Sequence, residues 1–159
     1  MFREITRKAQ ILDKEAVENI LTIETWGVLS LLGDGDYPYG VPVNYAYCDG
    51  KIYFHGAPYG HKYDAMKEHE RVCFTVVSDD EIVEKEYTTA YASVIVFGRV
   101  KCLEGEERRE AFIKMTDGLA PHLPHEINVE TVNSCPSAAV FSITIDHVTG
   151  KVGRLKVEK

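Results

Sequence analysis

The chain has 159 residues, a formal net charge of −7, and 45% hydrophobic and 27% charged residues. This length suits a single domain, predicted over residues 1–159, and a chain of this size can bury most of its apolar surface. The negative charge argues against a general nucleic-acid-binding protein, because such proteins need a broad basic face.

The first predicted element is a helix over residues 13–24, with the sequence DKEAVENILTIE. It opens with Asp13, which is a typical N-cap residue. The spacing places Ala16, Ile20 and Ile23 on one face, as in an amphipathic helix.

A run of short strands follows the helix. Residues 25–32 form an apolar strand, and residues 33–40 form a turn rich in Gly, Asp and Pro. Residues 39–47 alternate strictly and predict one further strand. An Asp-Gly hairpin turn at 48–51 leads into a returning strand over 51–56. In the alternating strand, one face carries Tyr39, Val41, Val43, Tyr45 and Tyr47, and the other carries Gly40, Pro42, Asn44 and Ala46.

The second half continues the mainly β pattern with two further helices. Its predicted elements are a short helix over 60–70, strands over 71–77 and 91–103, an amphipathic helix over 104–120, and one or two strands over 137–157. Polar residues 84–91 and the proline-containing residues 120–128 are predicted loops. Closely spaced strands joined by hairpins predict a mainly β protein, a closed or half-closed antiparallel barrel with a few flanking helices.

Apolar stretches and cysteines indicate the cellular location of the protein. The sequence contains no apolar stretch of about 18 residues and no signal-peptide pattern, so we expect a cytoplasmic protein that does not bind membranes. The cysteines are widely spaced and form no CxxC pair, which is typical of reduced thiols. These cysteines are Cys48, Cys73, Cys102 and Cys135.

The stretch FHGAPYGHK, residues 54–62, combines a strand end, two glycines and the start of a helix. The first amides of a helix have no internal partner and carry partial positive charge. Gly60 allows an anion to approach the backbone, and Lys62 adds a full charge in the first turn. These groups together are typical of a phosphate-binding site. The alternative interpretation is an ordinary Gly-Pro turn before a solvated helix with a surface lysine.

Asn44 is the polar residue on the small-residue face of the alternating strand. In a closed sheet that face could admit a flat ring, with Asn44 as a hydrogen-bonding group. The alternative is a polar residue on a solvated face. Pro42 removes one ladder hydrogen bond, which suits an edge strand or a strand that faces a ligand.

Three motifs in fixed order carry a family resemblance: YPYGVPVNY, IYFHGAPYGHK and SVIVFGRV. Together, from about Trp26 to about Lys151, the sequence resembles the FMN-binding split-barrel superfamily related to pyridoxamine 5′-phosphate oxidase. Within it, the sequence is most similar to the branch of 5-nitroimidazole-resistance proteins, which are nitroimidazole reductase-like. The resemblance implies a homodimer that holds FMN at the subunit interface.

The resemblance also implies roles for individual residues. The segment from Gly56 to Lys62 would bind the phosphate, with His61 and Lys62 as its basic pair. Ser93 would reach the cofactor of the partner subunit. The cofactor-binding residues implied in this way are Val43, Asn44, Tyr45, His55, Gly56, Ala57, Gly60, His61, Lys62 and Ser93.

His55 is the predicted catalytic residue, because the nitroimidazole branch has a histidine at this position that is proposed to take part in chemistry. Position 61 is often arginine in the oxidases and is histidine here. The substrate-binding Trp and Arg pattern of the oxidases is also not evident. The resemblance therefore does not extend to oxidation of pyridoxamine phosphate.

The function predicted is an FMN-dependent reductase of nitroaromatic or similar small aromatic compounds, with electrons from NAD(P)H. No dinucleotide-binding fingerprint is present, so the nicotinamide would dock transiently on the flavin. His122 and His125 flank Pro124 without an obvious third ligand, so no metal site is predicted. Two alternatives stay open, a flavin carrier or sensor without turnover and a split barrel that binds haem or another planar ligand.

Overall fold

The computed structural model describes residues 2–153, apart from the side chain of Asp79. Its strands are β1 Trp26–Leu32, β2 Pro38–Asn44, β3 Ala46–Cys48, β4 Lys51–Gly56, β5 Arg71–Val83, β6 Thr88–Leu103 and β7 Ala139–Val152. Its α-helices are α1 Lys14–Ile23, α2 His61–Glu68, α3 Gly105–Leu119 and α4 His125–Asn133. None of these helices within residues 2–153 is long and apolar enough to cross a membrane.

All strands belong to one antiparallel sheet in the order β2-β1-β5-β6-β7-β4-β3. The two outermost strands, β2 and β3, are consecutive in the chain and are separated only by Tyr45. The sheet must therefore curl until its edges meet, which gives the predicted split barrel. The single strand predicted over residues 39–47 is wrong in this detail, because its two halves pair with opposite edges of the sheet.

Helix α1 packs on the barrel core. The Asp13 carboxylate accepts a hydrogen bond from the backbone N–H of Ala16 at 2.8 Å, as expected of an N-cap. The buried face consists of Val17, Ile20 and Leu21. The predicted face shares only Ile20 with this buried face, because Val17 is buried in place of Ala16, and Ile23 is 62% exposed.

Helix α3 covers the outside of β3 and β4. Phe112 and Met115 of its predicted apolar face are buried against Tyr53 and Leu103. Ala46 also lies under this helix, at 6% exposure. The prediction that Ala46 shares an open face with Asn44 is therefore wrong, because the chain changes its sheet partner between these residues.

Two predicted loops are shorter in the structure. Residues 88–91 extend β6, and residues 125–128 open α4. Pro124 stands at the N-cap of α4, where a proline does not interrupt helical hydrogen bonds. The final predicted strand is confirmed over Ala139–Val152, and residues 154–157 of that prediction lie outside the described residues.

Candidate functional site

The start of α2 has the backbone geometry predicted for an anion site. Gly60 has φ +96° and ψ 172°, a conformation that only glycine adopts without strain. It stands at the N-cap and has no side chain to satisfy the first amides of the helix. These amides therefore remain available to an external acceptor.

Lys62 supplies the positive charge beside this helix terminus. Its ammonium group lies against β4, where a Cβ built on Gly56 would be 3.0 Å from Lys62 Nζ. The side chain is half-buried, and burial lowers the pKa of Lys62. Within residues 2–153, it forms no ion pair or side-chain hydrogen bond. A partly desolvated and unpaired cation is a strong binding group for an anion.

His61 is held by other contacts, although it precedes Lys62 directly. Its ring stacks on Tyr39, with centroids 4.1 Å apart. Its Nε2 accepts a hydrogen bond from the backbone N–H of Asp34 at 3.3 Å and lies 3.7 Å from the Asp34 carboxylate. The predicted basic pair is therefore divided, with Lys62 against β4 and His61 against the turn between β1 and β2.

His55 lies on β4, immediately before Gly56, and its side chain is exposed. Its ring stacks on Phe112 of α3 at 5.3 Å. Although the residue as a whole is exposed, its ring is partly desolvated where it packs on Phe112, and this desolvation, followed by the positive charge of Lys62, lowers the pKa of His55. The imidazole is therefore neutral near pH 7 and can donate one hydrogen bond and accept another.

Asn44 is the last residue of β2, which approaches β4 across the split of the barrel, and β4 carries His55. Cα atoms of β2 and β4 come within 8 Å of each other. Asn44 is exposed, and its Nδ2 donates to the Thr25 carbonyl at 3.2 Å. The amide is thus fixed, and among the described residues its oxygen accepts no hydrogen bond.

The two neighbours of Asn44 point into the barrel. Val43 is buried, and Tyr45 is 0% exposed with its ring edge on Phe74. Burial, and then the charge of Glu24, raise the pKa of Tyr45. Its hydroxyl has no hydrogen-bond partner among residues 2–153. Of the predicted cofactor-binding residues Val43, Asn44 and Tyr45, only Asn44 presents its side chain at the surface.

Ser93 lies three strands away from Asn44 in the sheet of one chain and contacts none of the other candidate residues directly. His55 is level with Val140 of β7, which is level with Leu103 of β6. Ser93 lies ten residues from Leu103 along β6, a path of about 33 Å at ~3.3 Å per residue. Its side chain shares the outer face of β6 with the exposed Ile95 and Phe97. One chain therefore brings together His55, Gly56 and Lys62, with Asn44 at the end of the neighbouring β2, and leaves Ser93 three strands from Asn44.

Residues that hold the site in place were missed at the level of sequence. The Thr25 carbonyl accepts from both Asn44 Nδ2 and the Tyr45 N–H. Asp34 and Tyr39 orient His61. Each of these contacts joins residues that are distant in sequence, and no local pattern signals them.

A separate apolar groove of about 520 Å³ lies between the N-terminal segment, α1 and β7. None of the ten candidate residues lines it. Its wall includes His147, whose Nε2 is buried and has no hydrogen-bond partner among the described residues. The groove therefore belongs to a different part of the molecule from the candidate site.

Comparisons with known proteins support the same assignment of the fold. A family model described as pyridoxamine 5′-phosphate oxidase matches residues 13–152. A search of the curated proteins finds no significant match.

Solved structures with the same fold are similar over most of the chain. The first is a putative 5-nitroimidazole antibiotic resistance protein from Bacteroides thetaiotaomicron, with 23% identity, TM-score 0.73, and coverage of 90% of this chain and 86% of that one. The second is an FAD-binding protein from Mesorhizobium loti, with 24% identity, TM-score 0.70, and coverage of 92% and 97%. The third is an FAD and heme binding protein from Mycobacterium smegmatis, with 18% identity, TM-score 0.78, and coverage of 92% and 74%.

Proposed function

The chain belongs to the pyridoxamine 5′-phosphate oxidase family, and we propose that it is an FMN-dependent oxidoreductase. Its substrates would be nitroaromatic or similar small aromatic compounds, and its electrons would come from NAD(P)H. The observation that supports this proposal most is the half-buried Lys62 ammonium beside Gly56 and His55, without an anionic partner among the described residues, at the edge of the barrel where β2 approaches β4. The likeness to a 5-nitroimidazole resistance protein favours this substrate class.

The residues at this edge fit a flavin mononucleotide. Lys62 and the free amides at the start of α2 would bind the phosphate. Gly56 leaves room for the lysine ammonium, since a Cβ there would press on Lys62 Nζ. Asn44 would contact the polar edge of the ring with its free amide oxygen. The bound flavin would supply hydride transfer, and the protein would supply position and hydrogen bonds.

His55 would act as a neutral imidazole in this site. Its lowered pKa disfavours a stored positive charge near pH 7. A neutral ring can still donate a hydrogen bond to a nitro or carbonyl oxygen of the substrate and can relay a proton to it. The packing of His55 on Phe112 restrains the ring for this role.

His61 would contribute less to the phosphate than the family resemblance implies. Its Nε2 already accepts the Asp34 N–H. It would instead fix the turn between β1 and β2 against the start of α2. In this proposal, Lys62 is the main cationic group for the phosphate.

The functional unit would be a homodimer with a cofactor site at the interface. The strand β6 is apolar on both faces, because Val94 and Val96 are in the core whereas Ile95 and Phe97 remain 37% exposed. A second copy would cover this outer face by a two-fold interface. It would also bring Ser93 to the site of the partner, whereas within one chain Ser93 is about 14 Å from Asn44, three strands away at ~4.8 Å per strand.

The absorption spectrum of the purified protein with added FMN tests the proposal first. Flavin bands that co-purify or titrate to one per chain support it, and a Soret band would instead support a haem protein. FAD would be distinguished from FMN by the mass of the released cofactor. Anaerobic bleaching by NADH or NADPH, and reoxidation by a nitroaromatic compound, would then separate a reductase from a flavin carrier.

A further inference from the structure

We propose that Trp26 lies against the bound flavin as an aromatic wall of the site, an inference that rests on the proposed function. Trp26 is the only tryptophan of the chain and the first residue of β1. It is 58% exposed, although it is among the largest apolar side chains in the protein. It was not among the residues predicted from the sequence.

The sheet register places Trp26 beside Asn44. The two residues are direct partners in the β1–β2 ladder. Both side chains are exposed, whereas Gly27, Val43 and Tyr45 next to them are buried. The indole and the amide therefore stand on the same outer face, with Cβ atoms about 4.5–5.5 Å apart as in any directly opposed pair.

The same row continues across the sheet to Ser93. If the β1–β5 ladder is continued two residues past its last pair, Trp26 is level with Val77, and Val77 pairs directly with Ser93. The row is thus Asn44, Trp26, Val77 and Ser93, about 14 Å across at ~4.8 Å per strand. Its two ends are the residues assigned to the chain's own cofactor and to the partner's cofactor. Its middle consists of two apolar side chains that are each more than half exposed.

The backbone before Trp26 is fixed on the same element that carries Asn44. The Thr25 carbonyl accepts both the Asn44 amide and the Tyr45 N–H. These bonds hold the start of β1 where the chain crosses from β2 to β3. A ring that reaches Asn44 therefore meets an indole that is carried by a fixed backbone. An aromatic wall of this kind favours a planar aromatic ligand.

The test uses the FMN-loaded protein and the variants Trp26→Phe and Trp26→Ala, with Tyr87→Phe as the control. Tyr87 is 99% exposed at the tip of the β5–β6 hairpin and lies outside the row. Indole quenches flavin emission on contact by electron transfer, and a phenyl ring does not. We expect bound FMN to be weakly emissive in the wild type and clearly brighter in Trp26→Phe. We also expect Trp26→Ala to weaken FMN binding about two- to tenfold, the range of aromatic pairing.

Three results would overturn the inference. Equal emission and equal affinity in wild type and both Trp26 variants, with FMN bound to each, would refute the contact while leaving the proposed function intact. A Trp26→Ala change that weakens dimerisation without changing the emission of bound FMN would assign Trp26 to the subunit interface alone. Failure of the wild type to bind FMN would overturn the proposed function together with this inference. Circular dichroism of the conservative Trp26→Phe variant verifies that the fold is kept.

Discussion

The replacement Lys62→Ala tests the phosphate site most directly. The ammonium is half-buried beside Gly56, and it has no anionic partner among residues 2–153. A hydrogen bond to a charged group typically contributes about 1.5–3 kcal/mol. Since about 1.4 kcal/mol corresponds to a factor of ten, FMN affinity should fall roughly ten- to a hundredfold.

The same change should not unfold the protein. Burial lowers the pKa of Lys62, so the folded chain already bears a desolvation cost for this charge. Removing the ammonium relieves that cost, and the melting temperature of the apoprotein should stay equal or rise slightly. This separates a binding defect from a folding defect.

The assay is titration with FMN and with riboflavin, followed by quenching of flavin fluorescence. Riboflavin lacks the phosphate, so its affinity should be nearly the same in wild type and Lys62→Ala. Lys67→Ala is the matched control, because Lys67 is on the same helix but exposed, with its ammonium over the Tyr63 ring. Equal losses for FMN and riboflavin would show that Lys62 does not contact phosphate, and the assignment of α2 would be refuted.

Three further predictions address the other groups of the site. His61→Ala should weaken FMN binding by clearly less than Lys62→Ala, because His61 already accepts the Asp34 N–H; an equal loss in the same titration would contradict the divided pair. The folded-state pKa of His55 is lowered, so the unfolded chain takes up a proton at this residue before the folded chain does. The free energy of unfolding should therefore decrease as pH falls from about 6.5 toward the lowered pKa, and above about 6.5 this decrease is absent. The free energy of urea unfolding of His55→Gln should depend less on pH in that window than that of the wild type. An unchanged dependence would refute the lowered pKa of His55. Chains with Lys62→Glu and with Ser93→Glu should each bind FMN poorly alone, yet verified heterodimers should recover about half a flavin per chain; no recovery would refute the shared site.

Much of the secondary structure follows from local sequence. The Asp-Gly pair at the β3–β4 hairpin has the left-handed conformations expected of that turn, with φ of 51° at Asp49 and 72° at Gly50. Alternation along β2 separates the buried Val43 from the exposed Asn44. Turn chemistry and strand period depend only on residues close in sequence, which is why both predictions are confirmed.

The helical start at Gly60 was also predictable, because glycine followed by His-Lys is a local signal. The sequence did not reveal that His61 and Lys62 contact different elements. That outcome depends on Tyr39 and Asp34 on one side and Gly56 on the other. The sequence shows that two basic residues are adjacent, whereas tertiary packing decides which element each side chain contacts.

The sequence by itself determined most of the strands, the Asp-Gly hairpin turn, the family and the chemical types of the site residues. Only the tertiary structure decided that the chain crosses the split of the barrel at Tyr45, so that β2, which ends at Asn44, approaches β4, which carries His55, while Tyr45 is buried in the core. Only the ladder register placed Trp26 beside Asn44 and set Ser93 three strands away from Asn44 on the same face. The physical reason is that period and turn chemistry are local, whereas the closure of a sheet depends on pairings between strands that are distant in the chain.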